Sequence, residues 1–172
     1  MTKQQLVVCV ADIEGFAQAT RHMSLDLLVE FLQGFYERVG AVLLAHNGRL
    51  VKYIGDAVLM SFEHGREEIA VRAMWALRES YREYAAALIP DVQPTDLRAG
   101  IAAGEVSAGQ IGHPQMLGFD VLGRPVTYAF ALLGCRGIAV DQGVFEILAD
   151  RLTAEPVQAP GGVRGFRVTS LR

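Results

Sequence analysis

Two long amphipathic patterns, separated by short apolar runs, dominate the first half of this 172-residue chain. In the first pattern, apolar residues recur at helical spacing between Ser24, a residue type that caps helix N-termini, and Gly48, a common helix stop. The second runs from Glu67 to Ile89 and is closed by Pro90, which cannot continue a helix. Each pattern therefore predicts a long helix that packs one face on a core.

Short apolar runs flank these helices and predict strands. Residues 6–11 are rich in β-branched side chains and suit a strand buried on both faces, which Asp12 ends. Residues 49–54 and 57–62 are separated by a Gly-Asp dipeptide, which favours a tight hairpin with Asp56 at its tip. The rest of the chain indicates strands over 97–102, 106–111 and 119–122 with a Gly104-Glu105 turn between the first two, helices over 125–133 and 144–152, a loop over 156–162 and a closing strand over 163–169.

The order of these elements predicts the fold class. A β-α-β-β-α-β series is the split β-α-β plan, in which an antiparallel sheet carries both helices on one face. We therefore expect an α+β fold with a ferredoxin-like core and C-terminal additions. A chain of this length favours one domain, spanning residues 1–172.

Charge and composition exclude several classes of protein. A net charge of −3, with acids and bases interspersed, gives no basic stripe for a nucleic-acid partner. Residues 6–11 are too short for a signal-peptide core, and no apolar stretch reaches the length of a membrane span. Cys9 and Cys135 show no C-x-x-C spacing, so we expect reduced thiols in a cytoplasmic protein.

Two aspartates stand where adjacent strands end. If the strands before Asp12 and around Asp56 pair, both carboxylates meet at one end of the sheet. Such a pair suits Mg²⁺ or Mn²⁺, which bind through one or two protein carboxylates together with substrate phosphates. The alternative is structural, because Gly-Asp is a common turn and Asp a common strand terminator.

The segments around both aspartates resemble a known family. Residues 11–16, ADIEGF, and 52–56, KYIGD, are similar to the two metal-site signatures of class III nucleotidyl cyclases. Residues 97–112 resemble the glycine-spaced hairpin of that family, and residues 119–126 resemble the segment that follows it. Four blocks in the family's order, over about residues 6–133, imply its fold and a head-to-tail homodimer with nucleotide sites between the subunits.

The resemblance implies a role for residues at the sheet end. Asp12 and Asp56 correspond to the acids that hold two Mg²⁺ or Mn²⁺ ions while the ribose 3′-hydroxyl attacks the α-phosphorus. The carbonyl of Ile13 completes one metal site, and backbone amides around Gly15 and Phe16 meet phosphate oxygens.

Further residues match positions that bind the substrate. Arg98 and Arg164 match basic residues that contact the phosphates; the alternative for each is a surface arginine, and it weighs more for Arg164 than for Arg98. Lys52 and Asp120 match the pair that selects the base. A lysine with an acid complements N1 and the N6 amino group of adenine, whereas guanine presents the reverse pattern, so ATP is the expected substrate. The structural alternatives are a solvated strand lysine and a turn acid.

The pattern fails at two positions. The family carries the motif G-x-x-V-N-x-A-x-R. Here Thr127 replaces the asparagine that orients the ribose, and Ala131 replaces the arginine that stabilises negative charge on the phosphoryl group in the transition state. Losing one such cation can cost roughly three to five powers of ten in rate. Arg124 is expected in the turn before this helix and Arg136 past its end, so neither is expected on the helical face of Ala131.

Two hypotheses of different kinds follow. One is a weak adenylyl cyclase that converts ATP to cyclic AMP and pyrophosphate. The other is a catalytically impaired pseudocyclase that binds a nucleotide or a partner and signals by association, as a homodimer or as a heterodimer with an intact cyclase domain. A diguanylate cyclase would share the β-α-β-β-α-β plan, but its glycine-rich acidic hairpin is absent from the sequence.

Overall fold

A single eight-stranded sheet with helices on both faces forms the protein, which we describe from a computed structural model over residues 1–89 and 96–172. The strands are β1 (Thr2–Glu14), β2 (Arg49–Ile54), β3 (Ala57–Glu63), β4 (Asp96–His113), β5 (Met116–Leu122), β6 (Ile138–Asp141), β7 (Leu152–Gln158) and β8 (Arg164–Leu171). The helices are α1 (Phe16–Ala19), α2 (Leu25–His46), α3 (Glu67–Leu88), α4 (Arg124–Leu132) and α5 (Gln142–Leu148), with 3₁₀ turns over Thr20–His22, Leu133–Cys135 and Pro160–Gly162.

The sheet order is β2-β3-β1-β4-β6-β8-β7, and β5 pairs with the far end of β4. The first four strands in this order are antiparallel neighbours, which is the ferredoxin-like arrangement expected from the sequence. β6 adds to β4 in parallel, and β8 and β7 follow in antiparallel pairing. The predicted α+β class with C-terminal additions is confirmed.

Alternation along β1 divides the core between the two faces of the sheet. Val7, Cys9 and Ala11 face the side covered by α2 and α3, where they pack with buried aromatic and aliphatic residues of both helices. Val8 and Val10 face the other side, which α4 covers. The two long helices thus lie on one face, as the order of the elements predicts, and α4 covers the second face.

α2 and α3 begin and end close to where the sequence places them. The Ser24 side chain accepts a hydrogen bond from the amide of Leu27, and Asn47 in left-handed conformation ends α2 just before Gly48. α3 ends at Leu88. The predicted stop at Pro90 lies outside the described residues.

Several boundaries differ from the sequence prediction. The prediction of a turn at Gly104-Glu105 is wrong. β4 continues through both residues and pairs with β1 from Asp96 to Ala108. The positive φ of Gly104 bends this strand without ending it. The helix expected over 144–152 ends at Leu148, and the first three residues of the loop expected over 156–162 belong to β7.

Among the residues that the structure describes, no helix is both long and apolar enough to span a bilayer.

Candidate active site

Asp12 and Asp56 lie next to one another at one end of the sheet. Asp12 lies one residue before the end of the buried run of β1, and its neighbour across the β1–β3 ladder is Ala57, which follows Asp56 directly. The amide of Ile13 donates a hydrogen bond to the carbonyl of Asp56 over 3.3 Å. The strand pairing expected from the sequence therefore brings the two carboxylates together.

A cation already contacts this acidic pair. Arg98 is the neighbour of Asp12 on β4, and its Nε and Nη2 lie 2.7 and 2.5 Å from Oδ2 of Asp12. The pKa of Asp56 is raised by its burial and by the negative charge of Asp12, while Arg98 acts in the opposite direction. Two adjacent carboxylates in this setting favour the approach of a positive charge.

The residues present fit a magnesium or manganese ion in the manner of a nucleotide site. No group of three or more His, Cys, Asp or Glu side chains that could hold a metal occurs among residues 1–89 and 96–172. Two carboxylates are nevertheless the protein share that Mg²⁺ usually takes when phosphates supply further ligands. Asp12 is almost buried and Asp56 is half-buried, so the pair is fixed in place and open to a ligand from one side.

Tyr36 of α2 holds the turn that carries Asp56. Its hydroxyl donates to the carbonyl of Gly55 over 2.6 Å, and its ring stacks on Tyr53 with the ring centroids 4.0 Å apart. Burial, together with the nearby Tyr53 and Asp56, raises the pKa of Tyr36. Sequence reasoning missed this residue, because nothing in the pattern of α2 distinguishes a tyrosine that contacts the turn from one that packs on the core.

Lys52 and Asp120 form an ion pair across 68 positions of the sequence. Nζ of Lys52 lies 2.6 Å from Oδ2 of Asp120, whose other oxygen accepts from the amide of Val121 over 2.8 Å. The contact forms because the β4–β5 hairpin folds back to β2, where Arg49 also stacks over the ring of Phe119 at 3.9 Å. The two residues predicted to read the base are thus brought together.

Gly15 and Phe16 follow β1 at the same sheet end as Asp12. Gly15 has φ +79°, a conformation that glycine adopts without strain, and it caps the short helix α1. Its carbonyl accepts hydrogen bonds from the amides of Gln18 and Ala19. Phe16 anchors this turn by stacking on Phe31, with the ring centroids 6.3 Å apart.

Thr127 and Ala131 lie one turn apart on α4, whose position over the sheet is fixed by Gly100. A methyl group at Gly100 would come within 1.9 Å of the carbonyl oxygen of Ala129, so the helix rests directly on β4. Thr127 is exposed, and Ala131 packs at the edge of a small apolar cluster around Leu132. Thr127 is therefore open to a ligand, whereas Ala131 is half-buried against this cluster.

The placement expected for Arg124 is wrong. α4 begins at Arg124, and seven residues of helix turn through about 700°, which places Arg124 and Ala131 on the same helical face. Arg124 stands two turns before Ala131 and lines a cleft with Glu105, Tyr128 and Asp141.

Arg164 does not join the other candidate residues. It begins β8, three strands from β1, and its neighbour Gly165 lies at the level of Asp141 and thus near Ala102 on β4. Strand spacing and rise place it on the order of 20 Å from Asp12. Arg164 instead lines a cleft of about 480 Å³ between β7 and β8.

The fold and this arrangement define a class: an α+β domain with paired acids at one end of a β-α-β-β-α-β sheet. A family model for the adenylate and guanylate cyclase catalytic domain matches residues 1–149. The chain belongs to this family.

Two relatives and one solved structure illustrate the similarity. The chain is 32% identical to an adenylate cyclase of Streptomyces coelicolor over 134 residues, which is 77% of this chain and 30% of that protein. It is 30% identical to an uncharacterised protein of Mycobacterium tuberculosis over 125 residues, 73% of this chain and 23% of that protein. The chain thus spans less than a third of the length of these curated relatives. The adenylyl cyclase CyaB from P. aeruginosa shares the fold, with a TM-score of 0.84, 20% identity, and coverage of 99% of this chain and 96% of that one.

Proposed function

We propose that this domain binds ATP together with Mg²⁺ or Mn²⁺ and converts it slowly to cyclic AMP and pyrophosphate. The observation that carries the proposal is the pairing of Asp12 with Asp56, two carboxylates held side by side at the sheet end. The family to which the chain belongs and the adenylate cyclase of S. coelicolor among its relatives support the same reaction.

The acidic pair supplies the metal-binding half of the mechanism. Asp12 and Asp56 would hold the metal, with the carbonyl of Ile13 as a further oxygen ligand. Bound there, divalent ions lower the pKa of the ribose 3′-hydroxyl and neutralise the triphosphate. Arg98 contacts Asp12 in the free protein. When Asp12 binds the metal, Arg98 would be released to bind a phosphate oxygen. The amides around Gly15 and Phe16 open towards the same sheet end.

The ion pair of Lys52 and Asp120 would open to receive adenine. Nζ of Lys52 then donates to N1 of the base, and the carboxylate of Asp120 accepts from the N6 amino group. Their 2.6 Å contact keeps the donor and the acceptor adjacent in the free protein, which lowers the entropic cost of binding. This complementarity supports ATP as the substrate in preference to GTP.

A homodimer would bring the separated parts of the site together. Lys52 lies on β2, Asp56 lies in the turn that joins β2 to β3, and Arg164 begins β8, three strands from β1. Arg164 stands at the far end of the same sheet. Exposed apolar side chains on the β4–β5 hairpin, including Ile111, Met116 and Leu117, support an interface on this arm. A heterodimer with an intact cyclase domain would use the same surface.

A second function is favoured by one observation. At Thr127 and Ala131 of α4, a ribose-orienting amide and a transition-state arginine are missing. A domain with these changes could serve as a nucleotide-binding pseudocyclase that signals by dimerisation. Binding would then be retained without turnover.

One assay separates the two functions. Purified protein is incubated with ATP and Mn²⁺, and cyclic AMP is quantified by chromatography, with Asp56→Asn as the matched control. Cyclic AMP that depends on Asp56 supports the enzyme. ATP binding by calorimetry without any cyclic AMP supports the pseudocyclase, and the absence of ATP binding contradicts both.

A further inference from the structure

Arg136 lies at the same end of the sheet as the acidic pair. It follows the 3₁₀ turn after α4 and stands two residues before Ile138, the first residue of β6, which pairs with Ala99 of β4. Nε of Arg136 is 3.3 Å from Oε1 of Glu14. Glu14 stands two residues after Asp12 on β1, about 7 Å further along the strand, and alternation places both carboxylates on one face.

The backbone of Arg136 adopts a conformation that favours glycine. Its φ is +51° and its ψ is 148°, a region that side chains with a Cβ rarely occupy. Packing of the side chain does not account for this choice, because the side chain is 81% exposed. An ion pair this open to water is weak, so the contact with Glu14 does not account for it either. An exposed cation on a strained backbone beside an acidic site is explained if the cation binds a ligand there.

The geometry points to a phosphate-binding role: we propose that Arg136 leaves Glu14 and binds the β- and γ-phosphate oxygens of a nucleotide held at Asp12 and Asp56 of the same chain. The proposal rests on the proposed function, since it presupposes a triphosphate at that site. Arginine suits this role because its planar guanidinium presents two parallel donors to phosphate oxygens.

The position also bears on the missing arginine. Ala131 has no cation to offer, and Arg124 lines a cleft with Glu105 and Asp141. Arg136 lies beyond the helix, where its sequence position alone gives no reason to connect it with the site. The short 3₁₀ turn and the parallel pairing of β6 with β4 carry it back to the end of β1. Arg136 thereby supplies positive charge to the departing pyrophosphate, as a contact made by this chain's own residue.

The test compares Arg136→Gly with the wild-type protein. Glycine fits the backbone conformation, so the variant should be at least as stable in thermal unfolding, while losing the cation. We expect the affinity for Mn²⁺–ATP, measured by calorimetry, to fall about tenfold, the size of one lost charge-assisted contact. Affinity for inorganic pyrophosphate with Mn²⁺ should fall by a similar factor, and Arg136→Lys should recover part of both.

Two further variants sharpen the comparison. Glu14→Gln releases Arg136 from its partner and should raise the affinity for Mn²⁺–ATP about twofold, in keeping with a weak surface pair. Arg151→Gln removes an exposed arginine that pairs with Glu68 far from the site, and it controls for the change in net charge. Its affinity should match that of the wild-type protein.

The outcomes separate this proposal from the one on which it rests. Wild-type protein that does not bind Mn²⁺–ATP overturns both. Wild-type binding that is lost in Asp56→Asn but unchanged in Arg136→Gly overturns the role of Arg136 alone. A loss of affinity in Arg136→Gly equal to that in Arg151→Gln also overturns it, because the effect would then be one of net charge.

Discussion

Nζ of Lys52 and Oδ2 of Asp120 lie 2.6 Å apart, although the two residues belong to strands that do not pair with each other. β2 carries the lysine at one edge of the sheet, and the β4–β5 hairpin folds back to deliver the acid. The side chain of Asp120 is mostly buried and that of Lys52 is partly open, so a ligand can reach the pair from the lysine side.

Base selection follows from this pair. Lys52→Ala should lower ATP affinity about tenfold through the loss of a charged donor to the base, and should abolish the preference for ATP over GTP. Calorimetry with both nucleotides in the presence of Mn²⁺ measures the change. Lys3→Ala, which removes the other lysine of the chain, is the matched control and should bind as the wild-type protein does. Equal or tighter GTP binding by the wild-type protein would remove the adenine assignment.

Metal dependence tests the acidic pair. Asp12→Asn and Asp56→Asn should each remove the Mn²⁺-dependent part of ATP affinity while leaving the circular dichroism spectrum nearly unchanged. Both residues lie at the sheet end, and asparagine keeps their shape. Asp150→Asn, an exposed acid after α5, is the control for charge. Metal-dependent affinity that survives in both site variants would contradict the metal assignment.

Tyr36 is expected to act as a positioning residue. Tyr36→Phe removes the hydrogen bond to the carbonyl of Gly55 and keeps the ring stack on Tyr53. We expect a loss of at most about 1 kcal/mol in the free energy of unfolding. The apparent affinity for Mn²⁺ should fall a few-fold, because the turn that carries Asp56 becomes looser. Tyr53→Phe retains both the stack and the hydroxyl of Tyr36, so titrations of the two variants with Mn²⁺ isolate this hydrogen bond.

Asp96 should make stability depend on pH at the acid end. Burial raises the pKa of Asp96, but hydrogen bonds from Arg78 and Arg82 outweigh burial and hold this pKa at about 2, below the ordinary 3.8. Because the pKa of Asp96 is lower in the folded than in the unfolded protein, its carboxylate stabilises the fold above pH 3.8. This stabilisation is lost as the pH falls from 3.8 through 2. The shift corresponds to about 2 kcal/mol. Urea unfolding of wild type and Asp96→Asn should differ by this amount at pH 6 and converge at pH 2; a constant difference would contradict the linkage.

The acidic pair and the two long helices can be predicted from the sequence, because both are indicated by local patterns. Asp12 ends a β-branched run, and Asp56 follows a turn glycine, so pairing of the two strands is enough to join them. The strands β6 and β7 are not predicted from the sequence, and each omission has a physical reason. β6 has only four residues, too few to show a periodic pattern. β7 contains Pro156, which an edge strand tolerates but which in the sequence indicates a loop.

Contacts between distant elements lie beyond any local pattern. Gly104 marks a turn in the sequence, yet the long partner β1 keeps β4 extended through it. The hydrogen bond from Tyr36 to Gly55 depends on how α2 lies across the hairpin, and the return of Arg136 to Glu14 depends on the pairing of β6 with β4. The pairing of Lys52 with Asp120 was expected from the family resemblance, since neither strand spacing nor periodicity indicates it.

The last prediction concerns the missing arginine on α4. Ala131→Arg should raise the rate of cyclic AMP formation if the rest of the site is intact, and adding Thr127→Asn should raise it further. Ala129 fixes this helix against Gly100. Thr127 is exposed, and Ala131 lies at the edge of an apolar cluster that the new arginine must leave to reach the ligand. Phe130→Arg places the same charge on a neighbouring exposed position of α4 and serves as the control.

The effect should fall on turnover more than on binding, because a transition-state cation contributes little to the ground state. We expect at least a tenfold increase in cyclic AMP formation with Mn²⁺–ATP affinity changed less than threefold, measured by chromatography and calorimetry on the same preparations. If the double variant gains nothing while metal and ATP bind normally, the site has been reshaped around binding. The pseudocyclase would then replace the enzyme as the function of this domain.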